Sequence, residues 1–205
     1  LNTASVAEVS YSKARRLVVL ETGEALFDVE KDGRPFLVEA GSSRTTALGT
    51  AFSVQTREEH VSVVLVEGSV SVSELGPQRR MLGLFPARRE EGARTVLEPG
   101  QRLVMTPGHA SQVETVNTAA ALAWQTGILQ FDDMRLDEVI DELNRYSETK
   151  LVLGDSALGK ERISGGFPAG QQDAFARNLT YLLPVRIEQT GQEIRILPGT
   201  NATDP

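Results

Sequence analysis

The feature that most limits what this chain can fold into is a change of hydrophobic period near its middle. Before about residue 116, apolar residues come in short runs rich in β-branched side chains, several of them alternating with polar ones. Arg16-Leu17-Val18-Val19-Leu20, Ala25-Leu26-Phe27-Asp28-Val29 and Phe36-Leu37-Val38 lead. Ala51-Phe52-Ser53-Val54, Val61 to Val66 and Ser69-Val70-Ser71-Val72 follow. A period of two is that of a strand with one buried face. Thr22-Gly23, Asp32-Gly33, Gly41-Ser42, Glu67-Gly68 and Pro99-Gly100 supply turns between the runs. Turns recurring about every 8–12 residues indicate an all-β domain over residues 1–116, as a sandwich, a barrel or a solenoid-like coil.

After Val116 the period becomes helical. Thr118 to Gln125 is rich in strong helix formers, which places a short linker helix over 117–125. Gly127 to Phe131 reads as a strand. Leu136, Val139, Ile140, Leu143 and Tyr146 then line one helical face, with Asp133 placed to cap its start. Lys150 to Leu153 and Arg162 to Phe167 are further strands. Phe175, Leu179 and Leu182 mark a second amphipathic helix, ended at Leu183-Pro184. Val185 to Gln189 and Ile194 to Leu197 close the pattern around Gly191. The order β-α-β, β-α-β, β describes a small α+β domain over 126–198, with 199–205 as a tail. The fold class expected is mixed: an all-β domain, then a βαβ-βαβ-β domain.

One stretch breaks the rhythm of the first half. Leu75 to Arg94 holds Arg79, Arg80, Arg88, Arg89 and Arg94 beside Glu90 and Glu91. It reads as a solvated loop insertion, with a basic docking surface as the alternative, since paired arginines bind carboxylates.

Charge and residue usage exclude several function classes. With 21 basic and 28 acidic residues the net charge is −7, which opposes phosphate backbones and anionic lipid, so no nucleic-acid partner is expected. There are no cysteines, hence no disulfides, thiolate nucleophile or cysteine-held zinc. The two histidines, His60 in a strand pattern and His109 in a Pro-Gly turn, do not make a metal set, and no metal or cofactor is expected. Hydrolase-elbow, dinucleotide and phosphate-loop motifs are absent. Asp132/Asp133 and Asp137/Glu138 sit where acidic residues complement a helix start, a more economical account than an acid–base pair. Trp124 reads as a packing plug between the domains. No apolar run approaches the ~20 residues that span a bilayer. The opening Leu1-Asn2-Thr3-Ala4-Ser5 looks like the inside of a domain, so the chain is expected to be part of a longer protein.

A set of strings, taken in order, is similar to the FecR family of iron-uptake regulators. They are Leu1 to Ser5, Gly23-Glu24-Ala25-Leu26-Phe27-Asp28-Val29, Arg34-Pro35-Phe36-Leu37-Val38 and Leu48-Gly49-Thr50-Ala51-Phe52-Ser53-Val54, then Val64 to Val70 and Pro99-Gly100-Gln101-Arg102-Leu103. The second half, with Trp124-x-x-Gly127-x-Leu129-x-Phe131 and Glu142-Leu143-Asn144-Arg145-Tyr146, resembles the small secretin and TonB N-terminus fold. The resemblance implies the periplasmic, signal-receiving region of a transmembrane sigma regulator, anchored by an upstream inner-membrane helix. It implies a protein partner, the signalling domain of a TonB-dependent siderophore transporter. The sigma factor would be reached only through a cytoplasmic segment outside this chain.

This is the profile of a binding protein and not of a metabolic enzyme. Partner contacts are expected on the closing strands, at Arg186, Ile187, Glu188, Arg195 and Ile196. The resemblance also raises single-turnover self-cleavage at Gly49-Thr50, a reaction ascribed to some family members. A threonine hydroxyl can attack the carbonyl before it, and a glycine there leaves that carbonyl unshielded. The plainer alternative is that Gly49 makes a turn and Thr50 opens a strand. A carbohydrate-binding β-domain is a third reading, disfavoured because aromatics are only 5% of the chain and sugar platforms are built from them.

Overall fold

The computed structural model describes residues 1–57, 60–76 and 91–199. The chain divides into two compact units, Leu1–Ala121 and Leu122–Pro205.

The first unit is built from β1 (Val6–Tyr11), β2 (Arg16–Asp28), β3 (Phe36–Ala40), β4 (Ser43–Ala47), β5 (Ala51–Arg57), β6 (His60–Glu67), β7 (Val70–Leu75), β8 (Glu91–Leu97), β9 (Gln101–Met105) and β10 (Gln112–Thr115). They form one curled sheet in the order β10-β9-β6-β5-β2-β3-β4-β7-β8, with β1 on β2. The runs at 16–20 and 25–29, separate strands by sequence, are parts of one 13-residue strand. Thr22-Gly23 is where that strand changes partners and not a reversal. Residues 16–20 pair in parallel with 36–40 of β3, and Gly23 to Asp28 pair antiparallel with β5. Strand β2 thus belongs to both halves of the sheet. Its inward residues Val18, Leu20 and Ala25 meet Val38, Phe52, Val54, Val63, Leu65 and Leu103 in one apolar core. Fully burying an aliphatic or Phe side chain of this size contributes about 1.5–3 kcal/mol, so this shared core holds the two halves together.

The stretch from Leu75 to Arg94 is not a loop throughout. Glu91 and Arg94 lie in β8, where Arg94 pairs with Ser73 of β7. Arg44 reaches this strand, its Nη1 donating to Glu91 Oε1. Arg79, Arg80, Arg88, Arg89 and Glu90 lie outside the described residues, as do residues 200–205 of the tail.

The linker helix is shorter than its composition suggested. Helix α1 covers only Thr118–Ala121, its first amides bonded to Asn117 Oδ1, and a 3-10 turn over Ala123–Thr126 follows. The second unit then runs β11 (Ile128–Arg135), α2 (Leu136–Asn144), β12 (Lys150–Leu153), β13 (Arg162–Pro168), α3 (Gln172–Leu182), β14 (Val185–Thr190) and β15 (Glu193–Pro198). Strands β11 and β13 pair with each other, and the rest form a sheet in the order β12-β15-β14. Leu136, Val139, Ile140 and Leu143 of α2 and Phe175, Ala176 and Leu179 of α3 are buried in this unit's own core, against which Trp124 packs.

Asp133 does not cap α2. It lies in a bulge of β11 at φ 47°, with its amide donating to Ser164 Oγ at 2.9 Å. The cap position falls two residues later, on Arg135, and the first helical amide, that of Leu136, is satisfied by the Glu161 carbonyl at 2.8 Å. A backbone acceptor replaces the side-chain cap. No helix among the described residues is long and apolar enough to cross a membrane.

Candidate functional site at a sheet-crossing corner

The curl obliges the first unit's chain to pass repeatedly between the two halves of its sheet. Residues 29–35 cross from β2 to β3, residues 48–50 from β4 to β5, and Gly68-Ser69 from β6 to β7. These three crossings meet at one corner. The Val29 amide donates to the Thr50 carbonyl at 3.0 Å. A Cβ placed on Gly68 would stand 2.6 Å from Thr50 Cγ2 and 3.1 Å from the Gly49 carbonyl oxygen. A Cβ on Gly49 would fall 2.1 Å from Lys31 Cγ. Both glycines also have positive φ, +120° at Gly49 and +87° at Gly68, a backbone state in which a side chain is strained. The Gly49-Thr50 peptide is therefore bordered by the Lys31 stem and by the bare Cα of Gly68.

Arginine chemistry fixes the first of these walls. Arg16, 9% exposed, donates from both terminal nitrogens to the Glu30 carbonyl at 3.2 Å and from Nη2 to the Arg34 carbonyl at 3.0 Å. Its guanidinium lies 5.4 Å from the centroid of the Phe36 ring, a cation–π arrangement. Asp32 ties the same loop together, accepting from the Arg34 amide at 2.9 Å and from Arg34 Nε at 3.1 Å, with Arg16 3.3 Å away. The Arg34 guanidinium and then the Arg34 amide hold the Asp32 carboxyl below the ordinary carboxylate range, so it stays charged at neutral pH. Three residues thus hold loop 30–34, and the loop carries Lys31 onto Gly49.

Thr50 is 7% exposed, and its Oγ1 is a buried oxygen without a hydrogen-bond partner among the described residues. Buried hydroxyls are nearly always paired, because leaving one unsatisfied costs about 1–3 kcal/mol. An unpaired hydroxyl next to the carbonyl of a residue without a side chain can act as an internal nucleophile. Sequence reasoning isolated Gly49 and Thr50. It does not reach Lys31, Gly68 or Arg16, which lie 18, 18 and 33 residues from the nearer end of that bond and share no local pattern with it.

The other expected site residues fall in the second unit, on unequal terms. Ile196 is fully buried in β15, which is paired on both sides, and is unavailable to a partner. Its apolar side chain faces the helices, and core burial overrides surface use. Ile187 is half-buried against the same core. Arg186 pairs with Glu188, and Arg195 Nη2 with Glu193 Oε1 at 2.7 Å, all on exposed side chains. Strand β14, in contrast, is a sheet edge. The Gly199 amide bonds to the Pro184 carbonyl at 2.7 Å. Because bonded and unbonded pairs alternate along an antiparallel ladder, this phase turns the backbone groups of Ile187 and Gln189 outward. The histidines stand apart: His60 Nδ1 lies 3.0 Å from Thr106 Oγ1 and His109 Nδ1 3.2 Å from the Pro107 carbonyl. Among the described residues no group of side chains is arranged to hold a metal ion.

The family model described as FecR protein matches residues 1–71, a span that contains Lys31, Gly49, Thr50 and Gly68. Two crystal structures of a candidate anti-sigma factor from Parabacteroides distasonis share the fold, with TM-scores of 0.78 and 0.77. Both are 22% identical to this chain and align over 98% of it and 89% of their own length. No curated protein matches the chain.

Proposed function

We propose that this chain, whose residues 1–71 match the model of the FecR family, is the signal-receiving region of a regulator that controls a sigma factor. The observation that carries the reading is the fold match over both units to a candidate anti-sigma factor, combined with the FecR match at the start of the chain. In this reading the chain works in the periplasm, tethered by an inner-membrane helix outside it. It binds the signalling domain of a TonB-dependent siderophore transporter and reaches the sigma factor through a cytoplasmic segment. It is a binding protein without cofactor or metal. The free edge of β14 supports a strand-addition contact, in which the outward backbone groups of Ile187 and Gln189 pair with a partner strand.

Isothermal titration of the whole chain against the isolated signalling domain of a transporter encoded in the same genome tests this. Binding is expected, and Gln189→Pro should weaken it at least about tenfold, because proline removes an outward donor without touching the β14–β15 bonds. Unchanged affinity in that variant would place the contact elsewhere. No binding to any such domain would defeat the reading.

A second, compatible reading is favoured by the buried, unpaired Thr50 hydroxyl. Thr50 Oγ1 attacks the Gly49 carbonyl carbon, the C–N bond breaks, and the hydroxyl proton passes to the departing nitrogen. Water then hydrolyses the ester, leaving a Gly49 carboxylate and a free Thr50 amine and hydroxyl. Mass spectrometry of wild type and Thr50→Ala after days at neutral pH decides it. Two fragments in the wild type alone are expected, and full-length mass in both excludes the reaction.

A further inference from the structure

We propose that Lys31 and Gly68 are positioning residues for cleavage at Gly49-Thr50, acting as the two walls of a clamp on that peptide. The proposal rests on the self-cleavage reading above and assigns its geometry.

The first wall is the lysine's hydrocarbon stem and not its charge. A Cβ on Gly49 would lie 2.1, 2.9 and 3.1 Å from Lys31 Cγ, Cε and Cδ, so three successive stem carbons run across the bare face of Gly49. Lysine stems commonly cover apolar surface in this way while the ammonium stays in water. Lys31 itself is exposed, yet its backbone is not free to drift, because Arg16 and Asp32 hold the residues on both sides of it. The second wall has no side chain. Gly68 approaches so closely that a methyl there would collide with Thr50 Cγ2 at 2.6 Å and press on the Gly49 carbonyl oxygen at 3.1 Å.

Together the walls restrict both partners in the reaction. The stem limits rotation of the Gly49 backbone, held at φ +120°, and with it the placement of its carbonyl. The bare Gly68 leaves Thr50 Cγ2 the room it occupies, which a methyl there would take away, and the place of Cγ2 sets that of Oγ1 on the same carbon. An intramolecular attack gains most of its rate from such restriction, and displacement by about 1 Å can cost about a hundredfold. The corner thus supplies geometry, while the hydroxyl and the carbonyl supply the chemistry.

The test measures fragment formation by the whole chain at neutral pH, by mass spectrometry, with thermal melting of each variant alongside. Lys31→Ala removes the stem, Lys31→Met restores it without the ammonium, and Gly68→Ala adds the colliding methyl. Expected are cleavage about tenfold or more slower in Lys31→Ala, near-wild-type cleavage in Lys31→Met, and similar melting temperatures for both. Gly68→Ala should be slowed as well, and should this variant melt early, the lysine pair still decides. Cleavage of Lys31→Ala at the wild-type rate overturns the clamp and leaves self-cleavage standing. Equal slowing in Lys31→Met and Lys31→Ala also overturns it, since the charge would then be the active part. Intact mass in both wild type and Thr50→Ala removes the self-cleavage reading and the clamp with it.

Discussion

At the scale of single residues, some of the side chains that join elements are polar groups satisfied by backbone far away in sequence. Asn144 ends α2, donating from Nδ2 to the Leu151 carbonyl at 2.9 Å and accepting from the Leu151 amide at 2.8 Å. One amide side chain thus joins the helix end to β12 as a strand would. Gln172, 1% exposed, donates to the Leu143 carbonyl at 2.7 Å and ties the start of α3 to the same place. Asn144→Ala leaves both Leu151 backbone groups without these bonds, and should cost about 1–3 kcal/mol in urea unfolding. A loss below a few tenths of a kcal/mol would mean that water replaces the amide at no cost. Composition marks neither residue, because an Asn or Gln looks alike in sequence whether it clips two elements or faces solvent. Asp133 illustrates the opposite error. Its position ahead of an apolar helical stripe suggested a cap, yet the β11 bulge claims it, since Ser164 and Arg162 offer its backbone partners first.

Among elements, legibility follows the hydrophobicity of the inward positions. Helices α2 and α3 and strands β12, β13, β14 and β15 were visible because apolar residues recur on their buried faces. Strand β4 was not. Its inward residues are Ser43, Thr45 and Ala47, all buried, with Ser43 Oγ donating to the Ala40 carbonyl at 2.9 Å. A strand whose core face is small and hydroxylated carries no hydrophobic period to detect. Strands β1 and β10 escaped for a related reason: as marginal strands of the sheet they are almost wholly exposed. The division of β2 failed differently. Thr22-Gly23 has the composition of a turn, but both neighbouring runs find partners along one extended path, and pairing with β1, β3 and β5 outweighs the local preference.

For the whole molecule, the sheet order has a direct consequence for what cleavage at Gly49-Thr50 would do. The bond lies between β4 and β5, and each of these strands pairs with a strand from the other side of it: β4 with β7, and β5 with β2. The core is likewise built from both sides, with Val18, Leu20 and Val38 packed among Phe52, Val63 and Leu65. Cut protein should therefore elute from a sizing column as one species matching Thr50→Ala, and separate into two fragments only in denaturant. Separate elution without denaturant would show that the pairing across the cut is too weak to hold. The sequence by itself determined the two kinds of architecture, the helical stripes of the second unit and the Gly-Thr step, because periodicity and glycine placement are local properties of a chain. Tertiary structure alone decided that β2 serves both halves of the sheet, that β14 and not β15 offers an edge, and that Lys31 and Gly68 close on Gly49-Thr50. Those facts depend on which strands lie side by side, and strand pairing is settled by burial and backbone bonding over the whole sheet, not by any stretch of residues alone.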